Sequence, residues 1–167
     1  MTAITVANTE WAILDDLRQA LAAATIGEEA VFGEVSLTTS HQQARQAQFR
    51  TAGARAILRY LGTDERESPE GLRACVVSAE ILLAKPVAGA TADEGARVQE
   101  MLRLVNAAKN AIAACPPTDG CYWGDGSQWH DRLAWGSPEI DTAERPPWAS
   151  AAIGLQIAYT LDNATSH

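Results

Sequence analysis

His130 is the side chain best suited to proton transfer near neutral pH, and Cys121, Ser127 and Asp131 lie close to it in sequence. Nucleophilic catalysis needs a Cys or Ser whose proton a His removes, and a third group that holds the imidazole in place. Trp129, Leu133 and Trp135 alternate with His130, Arg132 and Ala134, which is the pattern of a strand. Neighbours on a strand point to opposite faces, so Asp131 is badly placed to orient His130. Ser127 sits in Gly126-Ser127-Gln128-Trp129, which lacks the G-x-S-x-G elbow that exposes a nucleophile at a strand-to-helix turn. A solvent-facing strand histidine accounts for His130, and the expectation is that none of these residues is catalytic.

Metal and phosphate chemistry fare no better. Asp119-Gly120 and Gly124-Asp125-Gly126-Ser127 carry oxygen ligands. A helix-loop-helix calcium site, however, needs them at alternating positions and closed by a bidentate Glu. Cys121, Tyr122 and Trp123 occupy the middle of this stretch, and no Glu closes it, so tight-turn chemistry is the better account. Three scattered cysteines, Cys75, Cys115 and Cys121, and three scattered histidines give no ligand pair at zinc spacing. Gly53, Gly62 and Gly71 stand singly, with no glycine-rich phosphate loop. No cofactor is expected. Four of the five tryptophans (Trp123, Trp129, Trp135 and Trp148, against Trp11) fall in the last third of the chain. Stacking on nucleobases would need interleaved cations, and this region has only Arg132 and Arg145, so core packing or a subunit interface fits them better.

The chain as a whole has 167 residues, 47 % of them hydrophobic, enough for one domain with a true core. Its 21 acidic and 13 basic side chains give a formal charge of −8, the wrong sign for gripping a phosphate backbone. No basic segment followed by an apolar run opens the sequence, and no stretch is apolar enough to span a bilayer. One soluble, cytoplasmic domain with free thiols is therefore expected, with a Cys115–Cys121 disulfide the weaker alternative.

The elements that would carry these residues can be read from periodicity. Ile13, Leu14, Leu17 and Leu21 recur at helical spacing, which predicts an amphipathic helix from about Thr9 to Ala24. Ala30 to Leu37 reads as a short strand. Ser40 followed by Gln43 fits a capping box opening a short polar helix, with Phe49 as anchor, and a loop fits equally well. From Arg55 to Leu61, Ala56, Leu58 and Tyr60 alternate with Arg55, Ile57 and Arg59, which predicts a strand whose arginines face solvent or a partner. Leu72 to Lys85 is apolar on both faces, as in the middle of a covered sheet. Gly62 to Gly71, with Asp64, Glu65, Glu67 and Glu70, is expected to be the solvated loop between those strands. Thr91 and Glu94 predict the cap of a second main helix carrying Val98, Met101, Leu102, Val105 and Ile112, ended by Pro116 and Pro117. A last strand, about Trp148 to Leu161, puts Ile153, Leu155, Ile157, Tyr159 and Leu161 on one face, and Pro146 and Pro147 bar upstream residues from pairing into its start. The predicted fold class is α+β, a mainly antiparallel mixed sheet packed with two main helices in the order α-β-(α)-β-β-α-β-β.

That order resembles the tail terminator proteins of long-tailed bacteriophages. The likeness rests on the opening amphipathic helix, the strand ending in Tyr60-Leu61-Gly62, and the acidic connection into the long strand at Cys75 to Leu83. It continues in the helix Val98 to Ile112 and in a closing hairpin with Trp135 before the turn and Trp148 leading into Ile153-Gly154-Leu155-Gln156-Ile157-Ala158-Tyr159. It implies a structural virion protein whose copies close into a hexameric ring. Such a ring caps the tail tube, ends its polymerisation at the tape-measure length and meets the head-tail connector. The partners implied are further copies of the chain, tail tube protein, a connector or neck protein and the tape measure protein. DNA would pass through without specific binding, and no membrane is involved. In this frame Asp64, Glu65, Glu67 and Glu70 are candidates for a lumen or inter-ring loop, and Arg55, Arg59, Trp135 and Trp148 for the subunit interface. Two alternatives stay open: another neck or head-completion component, and a small enzyme or ligand-binding domain with a diffuse site. Images of rings or of compact monomers would separate them.

Overall fold

The computed structural model describes residues 9–48, 53–67, 72–86, 93–114, 132–142 and 148–162. His130, Cys121, Ser127, Glu70, Phe49 and Thr91, all singled out above, lie outside them. The first helix, α1 (Thr9–Ala22), buries Ile13, Leu14, Leu17 and Leu21 as their spacing requires. Two short strands, β1 (Thr25–Ile26) and β2 (Glu29–Ala30), form a hairpin around Gly27, whose φ of 64° is easily reached without a Cβ. The strand expected from Ala30 is thus broken, and β3 (Glu34–Thr38) starts only after Gly33 has donated its amide to the Ala54 carbonyl.

The polar helix after Ser40 does form, as α2 (His41–Gln48). The Ser40 hydroxyl accepts the Gln43 amide at 3.2 Å, while the Gln43 side chain meets Thr38 instead of completing the box. Its buried anchor among the described residues is Ala44, packed on Ile57 and Leu82. The strands β4 (Arg55–Glu67) and β5 (Leu72–Pro86) pair antiparallel over nearly their whole length. The helix α3 (Glu94–Ala113) is capped by Asp93, whose carboxylate accepts the Ala96 amide at 2.7 Å. This replaces the expected Thr91–Glu94 cap. Met101, Leu104, Val105, Ala108 and Ile112 make its buried face, and Leu102 points outward.

The chain closes with β6 (Arg132–Trp135), β7 (Glu139–Asp141) and β8 (Trp148–Asp162). The main sheet runs β3-β4-β5-β8-β6, with β7 also on β8 and only the β3–β4 pair parallel. It is the α+β, mainly antiparallel sheet that the periodicities predicted. Proline did not keep β7 off the last strand, because β7 pairs with Ser150 to Ala152, past the prolines' reach.

The sheet has two unlike faces. One carries Ala56, Leu58, Val77, Ile81, Leu83, Ile153, Leu155 and Ile157 against α1 and α3 in a single core. Burial of each such Leu or Ile is worth about 1.5–3 kcal/mol against exposure, which makes this layer the main stabiliser. The other face meets α2 at one corner. Ile81 to Ala84 are buried consecutively where α2 lies on one side and the core helices on the other, as expected for the middle strand of a covered sheet.

Candidate functional site

Three of the four acidic residues expected in a loop are strand residues. Asp64, Glu65 and Glu67 pair in register with Val76, Cys75 and Arg73, so β4 runs on well past Leu61. Local polarity predicted a loop because charged residues are poor strand formers. Pairing along β5 overrides that weak preference. From Asp64 onward β4 is exposed, about 13 Å of strand at the usual rise, while β5 beside it keeps Cys75 buried. Glu65 binds Arg73 at 2.6 Å.

Arg55 and Arg59, expected to face solvent or a partner, both pair with carboxylates of neighbouring strands. Arg55 is buried, and its guanidinium meets the Glu34 carboxylate of β3 at 2.5 Å. Arg59 meets Glu80 of β5 at 2.7 Å. Alternation placed both correctly on the face opposite Leu58, but that face is flanked here by α2 and by carboxylates of adjoining strands. Trp135 is half-buried against the core, with the Lys109 ammonium 5.7 Å from its ring centre, and Trp148 is half-buried opposite Pro86. All four thus have part of their surface engaged inside the chain.

Groups with altered ionisation have structural causes. Burial pushes the Cys75 thiol up, away from the reactive thiolate. Burial likewise raises the Tyr159 phenol, which lies beside the Cys75 thiol and makes no hydrogen bond of ordinary geometry among the described residues. Burial works to raise Glu100, but hydrogen bonds from Arg103 and Lys85 outweigh it and hold its carboxyl below the usual range. The Arg18 hydrogen bond does the same for Asp15. None of these sits in a cleft with a second reactive group. Among the described residues, one shallow recess of about 150 Å³ lies between β2 and α3 and another of about 400 Å³ between α2 and β7. Among the described residues no His, Cys, Asp and Glu side chains gather as a metal group, and no helix is long and apolar enough to cross a membrane.

What the described surface does offer is contact area: the exposed charged end of β4, and exposed Trp11, Leu61 and Leu102. The Leu61 position was missed in the sequence because the β-bulge that displays it, between Tyr60 and Gly62, has no signal beyond the glycine. No protein family and no curated protein matches the chain.

Proposed function

We propose that this chain is an assembly protein of the tail terminator type, whose copies close into a ring on the end of a bacteriophage tail tube. In this reading the ring halts tube growth, meets the head-side connector and lets DNA pass without specific binding. The observation that carries the reading is the exposed, charged end of β4 from Asp64 to Glu67, paired in register with β5. These four side chains have solvent before them, and they can reach a neighbouring copy or the ring axis. The net charge of −8 fits a path for DNA, since like charge keeps the phosphates from adhering.

The test is negative-stain imaging with mass photometry of the purified chain, alone and with tail tube protein. Closed rings with a central hole are expected, hexamers if the family likeness extends to stoichiometry. Monomers under both conditions overturn the reading.

A further inference from the structure

β4 outruns its neighbour on the outer side of the sheet. β3 pairs with it in parallel from Arg55 to Arg59 and ends there at Thr38, whereas β4 continues to Glu67. β5 takes the inner side of that continuation as far as Arg73. Among the described residues no strand pairs with the outer side of Tyr60 to Arg66. Every second residue of this stretch turns a backbone N–H and C=O outward, a row of groups that one more strand would satisfy.

The first helix stands beside this edge, since α1 packs on β3 and β4. Its end leads through the β1–β2 hairpin to Gly33, which bonds Ala54 just before β4 begins, so α1 runs back along β4 toward that beginning. Its start lies at the other end. Besides burial, the charge of Glu10 raises both the Cys75 thiol and the Tyr159 phenol, which are register partners, and Cys75 is in turn opposite Glu65. The chain thus enters α1 near the far end of β4.

The sequence before α1 suits the edge. Residues 1–8 lie outside the described ones and contain no charged side chain. Thr2, Ile4 and Val6 alternate with Ala3, Thr5 and Ala7, and Thr2, Ile4, Thr5 and Val6 are β-branched, the type enriched in strands. Charges and a bulge are the usual guards of an open edge, and β4 has both. They deter strands of other copies of an acidic chain, but they do not repel an uncharged segment tethered alongside. Reach selects the direction. Six residues, Thr2 to Ala7, span about 20 Å, the same as Leu61 to Arg66. Laid parallel to β4, as β3 is, the segment ends beside the start of α1. Laid antiparallel, it ends about 20 Å away with only Asn8 to return.

We propose that Thr2–Ala7 adds to the outer edge of β4 as a parallel strand beside Leu61 to Arg66, in line with β3, and closes that edge to strands of other chains. The tether to α1 gives the segment an effective concentration of about millimolar, above that of any neighbouring copy in dilute solution. The inference does not depend on ring formation.

Amide hydrogen exchange read by mass spectrometry on the full chain, from low to high micromolar concentration, tests it. Peptides covering Thr2–Ala7 are expected to exchange at least about tenfold more slowly than an unstructured peptide, to the same degree at every concentration. Ile4→Pro, which removes a backbone donor, is expected to abolish that protection, to speed exchange at alternate amides of Leu61 to Arg66 and to leave α3 protected as in the wild type. Exchange of Thr2–Ala7 at unstructured rates overturns the proposal, as does Ile4→Pro with unchanged exchange in β4. Protection that appears only as concentration rises also overturns it, because the strand then comes from another copy.

Discussion

Removing the carboxylate of Glu34 should destabilise the fold more than removing the arginine it holds. The Arg55 side chain is 7 % exposed and the Glu34 side chain 49 %, so water can solvate the glutamate but scarcely the guanidinium. Truncating one partner of a fully buried pair costs about 3–5 kcal/mol, because the other charge is left uncompensated. The half-exposed glutamate lets some water replace the lost contact, which reduces the expected cost of Glu34→Ala to about 2 kcal/mol. With a urea slope of roughly 2 kcal/mol per molar, the unfolding midpoint should fall by about 1 M. Arg55→Met removes the guanidinium together with its Nε, which has no hydrogen-bond partner, and releases Glu34 to solvent. It should cost under about 1 kcal/mol, and the double variant should match it, as expected where a hydrophobe replaces a buried ion. Equilibrium urea unfolding followed by tryptophan fluorescence reads all four proteins. A Glu34→Ala stability within ~0.5 kcal/mol of wild type, or an Arg55→Met cost exceeding that of Glu34→Ala, refutes the reasoning.

Tyr159→Phe should be near neutral by thermal melting, since the deleted hydroxyl is buried beside the Cys75 thiol, a weak partner; a loss of more than ~1 kcal/mol would mean that it is well satisfied. Glu100 and Asp15 both ionise more readily in the fold than their ordinary values of 4.5 and 3.8. Their stabilising contribution is therefore complete above those values and is lost as pH falls through the lowered folded ones, and urea midpoints at pH 6 and pH 3 should show Glu100→Gln flattening that loss. Replacing His130, Cys121 or Ser127 by Ala should leave ring assembly intact by mass photometry, and a strict loss of function with normal folding in any of them would point to chemistry instead. Changing Asp64, Glu65, Glu67 and Glu70 together to Asn or Gln should preserve the circular dichroism spectrum while altering ring assembly or DNA ejection, and unchanged assembly with wild-type infectivity would reduce them to solvated surface.

The core was legible because periodicity alone determines which residues share a face. Ile13, Leu17 and Leu21 at helical spacing, and Ile153, Leu155, Ile157 and Tyr159 at strand spacing, lie where their intervals place them. What the sequence hid depends on pairing between distant segments. Arg55 looks like a surface residue until β3 brings Glu34 beside it across 21 positions. Asp64 to Glu67 look like a loop until Arg73 to Val76 pair with them. β7 is three residues long and has no periodicity of its own to read. The free edge of β4 was hidden for the same reason. Only the register shows that β3 stops opposite Arg59 and leaves the outer side of Tyr60 to Arg66 without a strand among the described residues.

The bulge at Leu61 also changes what the acidic residues can do. Without it, Asp64 would share a face with Leu58 and Tyr60, while Glu65 and Glu67 would lie with Arg59. The slipped register reverses this parity. Glu65 and Glu67 now fall on the core side with Cys75 and Arg73, where Glu65 is held by Arg73 at 2.6 Å, and Asp64 falls on the open side with Val76. The described carboxylates are therefore split between the two faces of the β4 end. A smooth acidic lining built from all of them is excluded by strand geometry, since one face of a strand cannot present both 64 and 65. A lumen role would therefore fall to one face at a time. Single-face variants, Asp64→Asn against Glu65→Gln with Glu67→Gln, separate the two sides where the fourfold change cannot. If a neighbouring copy meets the side of β4 that carries Asp64, Asp64→Asn should change association more than the paired glutamine variant does. Equal effects from the two would show that the bulge has no part in directing these charges.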